Sequence, residues 1–211
     1  MTKIIDPEAK REGARRGRPR AYDPDVALRK ARDAFWQTGF AATSLDDLAA
    51  ATGMNRPSLY AAFGDKHALY ANVLDLYRAA GLEGMQDALL PERPLREGLR
   101  EVYARALAMY FPLKAEPRGC FMIGTAVTEA ATDPQVRGAL ADGFRAFDKA
   151  FASRLRQARD AGELARDTDP AMLGRLASAF LYFLAIRSRS GESRKSLEAF
   201  ADAAVAMICG G

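Results

Sequence analysis

The sequence predicts an all-α protein. Of its 211 residues, 49% are hydrophobic and 27% are charged, and the good helix formers alanine, leucine and arginine are abundant. Apolar residues recur every three or four positions through most of the chain, which is the spacing of one face of a helix. No alternating run of Val, Ile and Thr reaches the length of a strand. The chain is long enough to bury the core of one large domain or two small ones.

Composition argues against several classes of protein. The sequence has no signal-peptide-like start and no stretch of 18 uncharged apolar residues, so we expect a cytoplasmic protein without a membrane partner. Cys120 and Cys209 are too far apart in the chain to suggest a disulfide framework. With a single histidine, His67, no His/Cys metal cluster and no plausible nucleophile–base pair can be built. We therefore expect no metal, no other cofactor and no enzymatic activity.

Residues 43–66, TSLDDLAAATGMNRPSLYAAFGDK, contain two short helical segments separated by a sharp turn at Gly53. Thr43 or Ser44 can cap the first segment, and Ser44 begins a Ser-x-x-Asp variant of the capping box. Asn55 is a good N-cap for the second segment. This pattern predicts a helix-turn-helix whose second helix reads the major groove of DNA, although an ordinary helical hairpin has the same local features.

The second helix of the motif has a shallow outward face. Leu59 and Phe63 share its inner side, while Pro57, Ser58 and Ala61 lie on the opposite side. A small, uncharged face lets a helix lie deep in a groove, with longer side chains at its edges reaching bases or phosphates. The predicted DNA contacts of this helix are Arg56, Pro57, Ser58 and Tyr60.

Helices on both sides brace the motif. Asp23 and Pro24 start a helix that Gly39 ends, and Asp65 caps a helix after the motif. Residues 23–69 are therefore predicted to form a helix-turn-helix DNA-binding domain.

Positive charge is concentrated before this domain. Residues 1–22 hold seven Lys or Arg against three Asp or Glu, which accounts for the formal net charge of +4. We expect a basic flexible arm. Around Gly17 it resembles the Gly-Arg-Pro core of AT-hook peptides, so Arg18 and Arg20 are predicted to enter an A·T-rich minor groove. The alternative is a solubilising, purely electrostatic tail.

Residues 35–69 resemble the N-terminal signature of the TetR/AcrR family of bacterial transcriptional regulators. The residues that carry the resemblance are Gly39, Phe40, Thr43, Asp47, Leu48, Ala49, Gly53, Met54, Leu59, Tyr60, Phe63, Lys66 and Leu69. The chain departs from the family pattern at Asn55, Pro57 and Ala62, where Ser, Gly, and His or Tyr are usual.

The resemblance implies a role for each matching position. Tyr60, Lys66 and Thr43 are expected to contact phosphates. Arg56 and Ser58 are expected to read bases. The departure at Ala62 removes one possible phosphate or base contact.

Beyond the motif, helical periodicity continues to the C-terminus. We expect helices at 95–114, at 119–131, from Asp133 to Gly162, from Asp169 onward, and at about 194–208. The helix after Asp169 is apolar nearly all round, so it needs cover on more than one side. The last two helices, about 170–208, are therefore predicted to form a homodimer interface, as the family resemblance also implies. A two-fold dimer would read a near-palindromic operator.

Residues 70–211 are predicted to bind a small-molecule effector as well. The family resemblance implies a cavity among the middle helices, whose ligand shifts the helix after the motif; the alternative is a packed core. The predicted lining is Tyr103, Leu107, Tyr110, Cys120, Phe121, Met122, Phe144, Phe147 and Phe180.

The sequence thus predicts a ligand-responsive, DNA-binding transcriptional repressor. One alternative is a constitutive DNA-binding regulator. Another is a redox or electrophile sensor built on Cys120, because a helix N-terminus lowers the pKa of a thiol. A third is an enzyme that the N-terminal domain tethers to DNA.

Overall fold

The computed structural model describes residues 22–113 and 115–210, and all regular secondary structure in these ranges is helical. The all-α prediction is confirmed. In chain order the helices are α1 (Pro24–Ala42), α2 (Leu45–Thr52), α3 (Arg56–Phe63), α4 (Lys66–Ala88), α5 (Leu95–Tyr110), α6 (a π-helical turn Met122–Ala126 continued by Val127–Glu129), α7 (Pro134–Asp160), α8 (Pro170–Arg189) and α9 (Arg194–Ile208).

Helix α1 begins and breaks where the sequence predicts. The Asp23 carboxylate accepts hydrogen bonds from the N–H groups of Asp25 and Val26, at 2.9 and 3.3 Å. Gly39 interrupts the helix with a φ of 82°, a value that glycine adopts without strain, and one further turn continues to Ala42. The inner face of α1 buries Ala27, Ala31, Phe35 and Trp36.

An aromatic junction formed by Phe35, Trp36, Tyr70, Tyr77 and Phe121 joins α1 and α4 to the start of α6. The ring centroid of Phe121 lies 5.6 Å from that of Trp36 on α1. The rings of Tyr70 and Tyr77 on α4 lie 5.8 and 5.5 Å from it. Since Phe121 is fully buried, this junction packs the motif-bearing helices against the C-terminal part of the chain.

Helix α4 connects the two parts without a break. It runs through residue 69, where the sequence suggested a domain boundary, so that boundary falls inside a helix. The N-terminal end of α4 packs against the motif, and its C-terminal half packs among the later helices.

Helices α7 and α8 form the tightest helix pair of the C-terminal part. A Cβ atom placed on Gly174 would lie 2.8 Å from the backbone nitrogen of Ala152, so only glycine permits this approach. Aspartates cap both helices, Asp133 for α7 and Asp169 for α8, as predicted.

A buried ion pair fixes the loop after α7 to the start of α5. Arg154 is 3% exposed and donates to the Arg93 carbonyl oxygen and to Glu163 Oε1, both at 2.8 Å. Glu163 Oε2 accepts a hydrogen bond from the Leu95 N–H at 2.7 Å. Desolvation raises the pKa of Glu163, but the Leu95 N–H and the Arg154 guanidinium together lower it below its ordinary value.

Two helices are shorter than their apolar patterns predict. The helix expected at 95–114 ends at Tyr110 because Pro112 disfavours a helical conformation at Phe111. The helix expected at 119–131 begins only at Phe121 and opens with a π turn. There the Thr125 hydroxyl donates to the Phe121 carbonyl oxygen at 2.8 Å and competes with the backbone ladder.

One side of α8 is left uncovered by the chain itself. Its other sides pack against α7 and α9, as its apolar composition requires. The uncovered side carries an apolar stripe formed by Met172, Leu176, Phe183 and Ile186, which are 38–54% exposed. By length and composition alone α8 also resembles a membrane span, with a mean hydropathy of 1.2 over 18 residues, although 39% of that window is buried in the chain.

Candidate DNA-binding surface and effector cavity

Reciprocal side-chain hydrogen bonds hold the first helix of the motif, α2. The Ser44 N–H donates to Asp47 Oδ2 at 2.8 Å, and the Asp47 N–H donates to Ser44 Oγ at 3.1 Å. Hydrogen bonds from the Ser44 hydroxyl and N–H lower the pKa of Asp47. Of the two candidate caps, Ser44 is therefore the one used. Gly53 ends α2 in the left-handed conformation, with a φ of 73°.

Helix α3 is capped at its start and anchored on one side. Asn55 Oδ1 accepts a hydrogen bond from the Ser58 N–H at 2.9 Å, as the sequence predicts for an N-cap. Leu59 is 2% exposed and fixes the inner face of the helix in the core. On the outer side Pro57 is exposed, and Tyr60 is 47% exposed. The outer side therefore presents a shallow, uncharged face edged by a phenol.

Arg56 is held by a carboxylate from the other helix of the motif. Its Nε and Nη2 atoms donate to Asp46 Oδ1 and Oδ2 at 2.8 and 2.5 Å, a two-bond arrangement across the turn. The hydrogen bonds from Arg56 lower the pKa of Asp46, and those to Asp46 raise the pKa of Arg56. Both side chains are more than half exposed, so an incoming base or phosphate can compete for the guanidinium. Sequence analysis missed this pair, because residues ten apart meet only once the turn is formed.

The Thr43 side chain is buried where α1 meets α2. The residue is 1% exposed, and its hydroxyl donates to the Gly39 carbonyl oxygen at 2.6 Å. Thr38 Oγ1 lies 2.7 Å from the same hydroxyl. The Thr43 side chain thus stabilises the corner between α1 and α2, and a phosphate contact at this position stays a prediction.

Lys66, at the first position of α4, lies beside the end of α1. Its Nζ lies 4.5 Å from the ring centroid of Phe40 and 3.5 Å from the Ala41 carbonyl oxygen. The ammonium group has no carboxylate partner among the described residues, so its charge is available to a phosphate. Arg18 and Arg20, the predicted minor-groove contacts, lie outside the described residues.

A cavity of about 400 Å³ lies between α1, α4, α5, α7, α8 and the start of α6. Four of the predicted ligand residues line it, namely Tyr110, Cys120, Met122 and Phe147. Residues outside the nine predicted ones complete the wall: Arg29, Arg32, Leu76, Tyr77, Ala80, Gly81, Gly84, Met85, Val102, Arg105, Ala106, Met109, Leu181 and Tyr182. The contributions of α1 were missed because that helix was assigned wholly to the DNA-binding domain.

The other predicted ligand residues pack elsewhere. Tyr103 is buried and donates to the Ala177 carbonyl oxygen at 3.0 Å, and Leu107 is a buried residue of the same helix. Phe121 belongs to the aromatic junction. The remaining two rings pack on other rings: Phe144 on Tyr182, with centroids 4.9 Å apart, and Phe180 on Phe200, at 5.8 Å.

Cys120 lies in the cavity wall as a protonated thiol. The Tyr77 hydroxyl donates to its Sγ at 3.3 Å, and burial raises the pKa of the thiol. The expectation that a helix N-terminus lowers this pKa is wrong, because desolvation outweighs the hydrogen bonds that Sγ accepts. A reactive thiolate, which a redox or electrophile sensor requires, is therefore disfavoured in this conformation.

A capped, two-helix motif with an exposed outer face, braced by α1 and α4, defines a helix-turn-helix protein of the DNA-binding class. Comparison with known proteins agrees. Residues 27–73 match the family described as bacterial regulatory proteins, tetR family, and residues 96–204 match the tetracyclin repressor-like C-terminal domain. The chain belongs to the TetR family of bacterial regulatory proteins.

Individual relatives cover most of the chain. The HTH-type transcriptional repressor ComR of Escherichia coli K12 is 34% identical over 182 residues, spanning 86% of this chain and 87% of ComR. The repressor BdcR of the same strain is 38% identical over 123 residues, spanning 57% of this chain and 59% of BdcR. Among solved structures, a cysteine mutant of the TetR family regulator CifR complexed with 26 bp operator DNA has a TM-score of 0.81 and 33% identity, covering 89% of this chain and 98% of CifR.

Proposed function

We propose that the chain is a homodimeric transcriptional repressor that binds a near-palindromic operator and leaves it when a small-molecule effector binds. Residues 23–69 bind the major groove, residues 1–22 supply a basic arm with Arg18 and Arg20 in the minor groove, and residues 70–211 hold the effector and the dimer interface. The exposed outer face of α3 carries the proposal. The named repressor function of ComR and BdcR and the operator complex of CifR support it.

The apolar stripe on α8 supports the homodimer. Four large apolar side chains on one helix face form a patch that a soluble chain covers with a partner. The face continues onto α9, where the Phe200 ring lies 4.4 Å from that of Phe183. An isologous pairing of α8 and α9 would cover it and would fix the spacing between the two copies of α3.

The cavity supports an effector. Its volume falls in the range of about 300–1,000 Å³ that is usual for small-molecule sites. Its walls come from α1 and α4, which support the motif, and from α5, α7 and α8. A ligand that fits better when these helices shift favours the shifted state, and its effect on DNA binding can be no larger than its difference in affinity for the two states.

Selection from a random duplex library, followed by fluorescence anisotropy, tests the DNA-binding function. The selected duplex should bind roughly 10³- to 10⁷-fold more tightly than a scrambled one at the same salt concentration. A near-palindrome with half-sites about one DNA turn apart is expected. Equal affinity for the selected and scrambled duplexes would contradict the proposal.

Replacing Lys66 with alanine should weaken binding to all duplexes by a similar factor, because we place its ammonium on a phosphate. The slope of log K against log salt concentration should fall by about one unit. Anisotropy titrations at several salt concentrations measure this slope. Lys149→Ala, an exposed change on α7, is the matched control and should leave the slope unchanged; equal slopes for the two variants would remove Lys66 from the contacts.

Replacing Arg56 with alanine should cost about 1–3 kcal/mol at one operator base pair, because we assign its guanidinium to a base edge. Binding to operators with single base-pair changes identifies that position, where the variant should lose its preference. Asp46→Ala is the matched control, because it removes the carboxylate partner of Arg56 but keeps the guanidinium. This variant should retain the preference at that base pair. A uniform loss across all operator variants would make Arg56 a phosphate contact.

A further inference from the structure

We infer that the effector is an organic anion with an apolar body, and that Arg29 binds its acidic group at the cavity wall. The inference deepens the proposed function, because it assumes that the cavity is the effector site.

The charged residues of the cavity wall all have the same sign. Among the described residues the lining includes Arg29, Arg32 and Arg105 but no aspartate or glutamate. The rest of the wall is mainly aliphatic and aromatic, with Leu76 and Phe147 as examples. An anion with an apolar body complements both parts of the wall, whereas a neutral apolar ligand would complement only the second.

Two of the three arginines are already engaged. Arg32 donates through Nε and Nη2 to the Asp33 carboxylate, at 3.1 and 2.9 Å. Arg105 lies 2.7 Å from Asp87 and 2.6 Å from Glu101, so two carboxylates neutralise it.

Arg29 differs from these two arginines. It makes no ion pair or side-chain hydrogen bond within residues 22–113 and 115–210. Arg29 is itself exposed, so a ligand carboxylate or sulfonate would form a charge-assisted hydrogen bond there by displacing water and no protein partner.

Arg29 also connects the ligand to the DNA-binding part of the chain. It lies on α1, whose residues Phe35 and Trp36 pack on α4 in the aromatic junction. An anion bound to Arg29 while its body lies among α4, α5 and α8 therefore changes the preferred position of α1 relative to those helices. The acidic group is then the part of the ligand that weakens operator binding.

A pair of fluorescent probes with one shared skeleton tests the inference. The anion 8-anilino-1-naphthalenesulfonate and the neutral N-phenyl-1-naphthylamine differ only in the sulfonate. In fluorescence titrations Arg29→Gln should weaken the anionic probe by about three- to fivefold, the loss expected for an ion pair at an exposed arginine. Affinity for the neutral probe should change by less than about twofold. Lys30→Gln, which removes the neighbouring charge from a residue of α1 that does not line the cavity, should change neither.

A second variant separates the cavity from the exposed apolar stripe of α8, which also attracts such probes. A Cβ atom placed on Gly84 would lie more than 4 Å from every other group around it. Gly84→Leu should therefore place its side chain in the cavity without a clash at Cβ. Both probes should lose at least about tenfold in affinity. Equal weakening of the two probes by Arg29→Gln, or unchanged binding to Gly84→Leu, would overturn the assignment.

Operator release distinguishes this inference from the proposed function. The anionic probe should weaken operator binding by the wild-type protein and should not do so for Arg29→Gln. If instead the neutral probe alone releases the operator, the protein is effector-responsive but the effector is not an anion. If the anionic probe binds at Arg29 and neither probe changes operator affinity, the site exists but the ligand-responsive function fails.

Discussion

Replacing Ile186 with glutamate is expected to convert the protein into a monomer and to weaken operator binding by roughly 10²- to 10⁴-fold, the range by which linking two sites raises affinity. Ile186 is 54% exposed at the end of the apolar stripe on α8. In the proposed dimer the same stripe of the partner would cover it, so a carboxylate there would lose its hydration against an apolar surface. A monomer keeps its α3 but loses the second half-site contact.

Light scattering coupled to gel filtration, together with operator anisotropy, measures both effects. The control is Leu90→Glu, which adds the same charge to an apolar side chain of similar exposure, 43%, between α4 and α5. That variant should remain dimeric and bind operator normally. A dimeric Ile186→Glu protein with undiminished operator affinity would exclude the α8 stripe as the interface.

Replacing Phe121 with alanine is expected to lower the free energy of unfolding by about 3–5 kcal/mol, the usual cost of removing a fully buried aromatic ring. The side chain has no exposed surface, and its ring packs on Trp36 and Tyr77 as well as on Tyr70. Truncation leaves a void where α1, α4 and α6 meet, and rigid neighbouring rings fill such a void poorly.

Guanidinium denaturation of the wild type and the variant at equal protein concentration measures the loss. Val127→Ala, six residues further along the chain and 47% exposed, is the matched control and should change stability by less than about 0.5 kcal/mol. A loss below about 1 kcal/mol for Phe121→Ala would mean that the junction repacks and is not a rigid connection.

Local chemistry explains why the helix-turn-helix was predictable. The caps at Ser44 and Asn55, the positive φ at Gly53 and the buried position of Leu59 each depend on residues a few positions apart. A sequence shows such relations directly. The outer face of α3 follows from the same periodicity.

The cavity was predictable only in part, because periodicity identifies buried faces without saying what each face meets. Phe144 and Phe180 have the same apolar spacing as Phe147, yet only Phe147 reaches the cavity. The Asp46–Arg56 pair and the α1 arginines of the cavity wall were missed for the same reason, since both depend on how helices cross. Whether Cys120 is buried also depends on how the helices pack, and its burial is what raises the pKa of the thiol.

The unbroken length of α4 has a mechanical consequence. With 23 residues and a rise of about 1.5 Å for each, the helix is a rod about 34 Å long. Residues between Leu76 and Met85 line the cavity in the C-terminal half of the rod, and the motif lies at its N-terminal end. A tilt of about 5° about the cavity, roughly 22 Å from that end, displaces the end by about 2 Å, more than half of the 3.4 Å rise of one base pair. Two such rods in a dimer, tilting in opposite directions, would change the distance between the two copies of α3 by about 4 Å, more than the rise of one base pair.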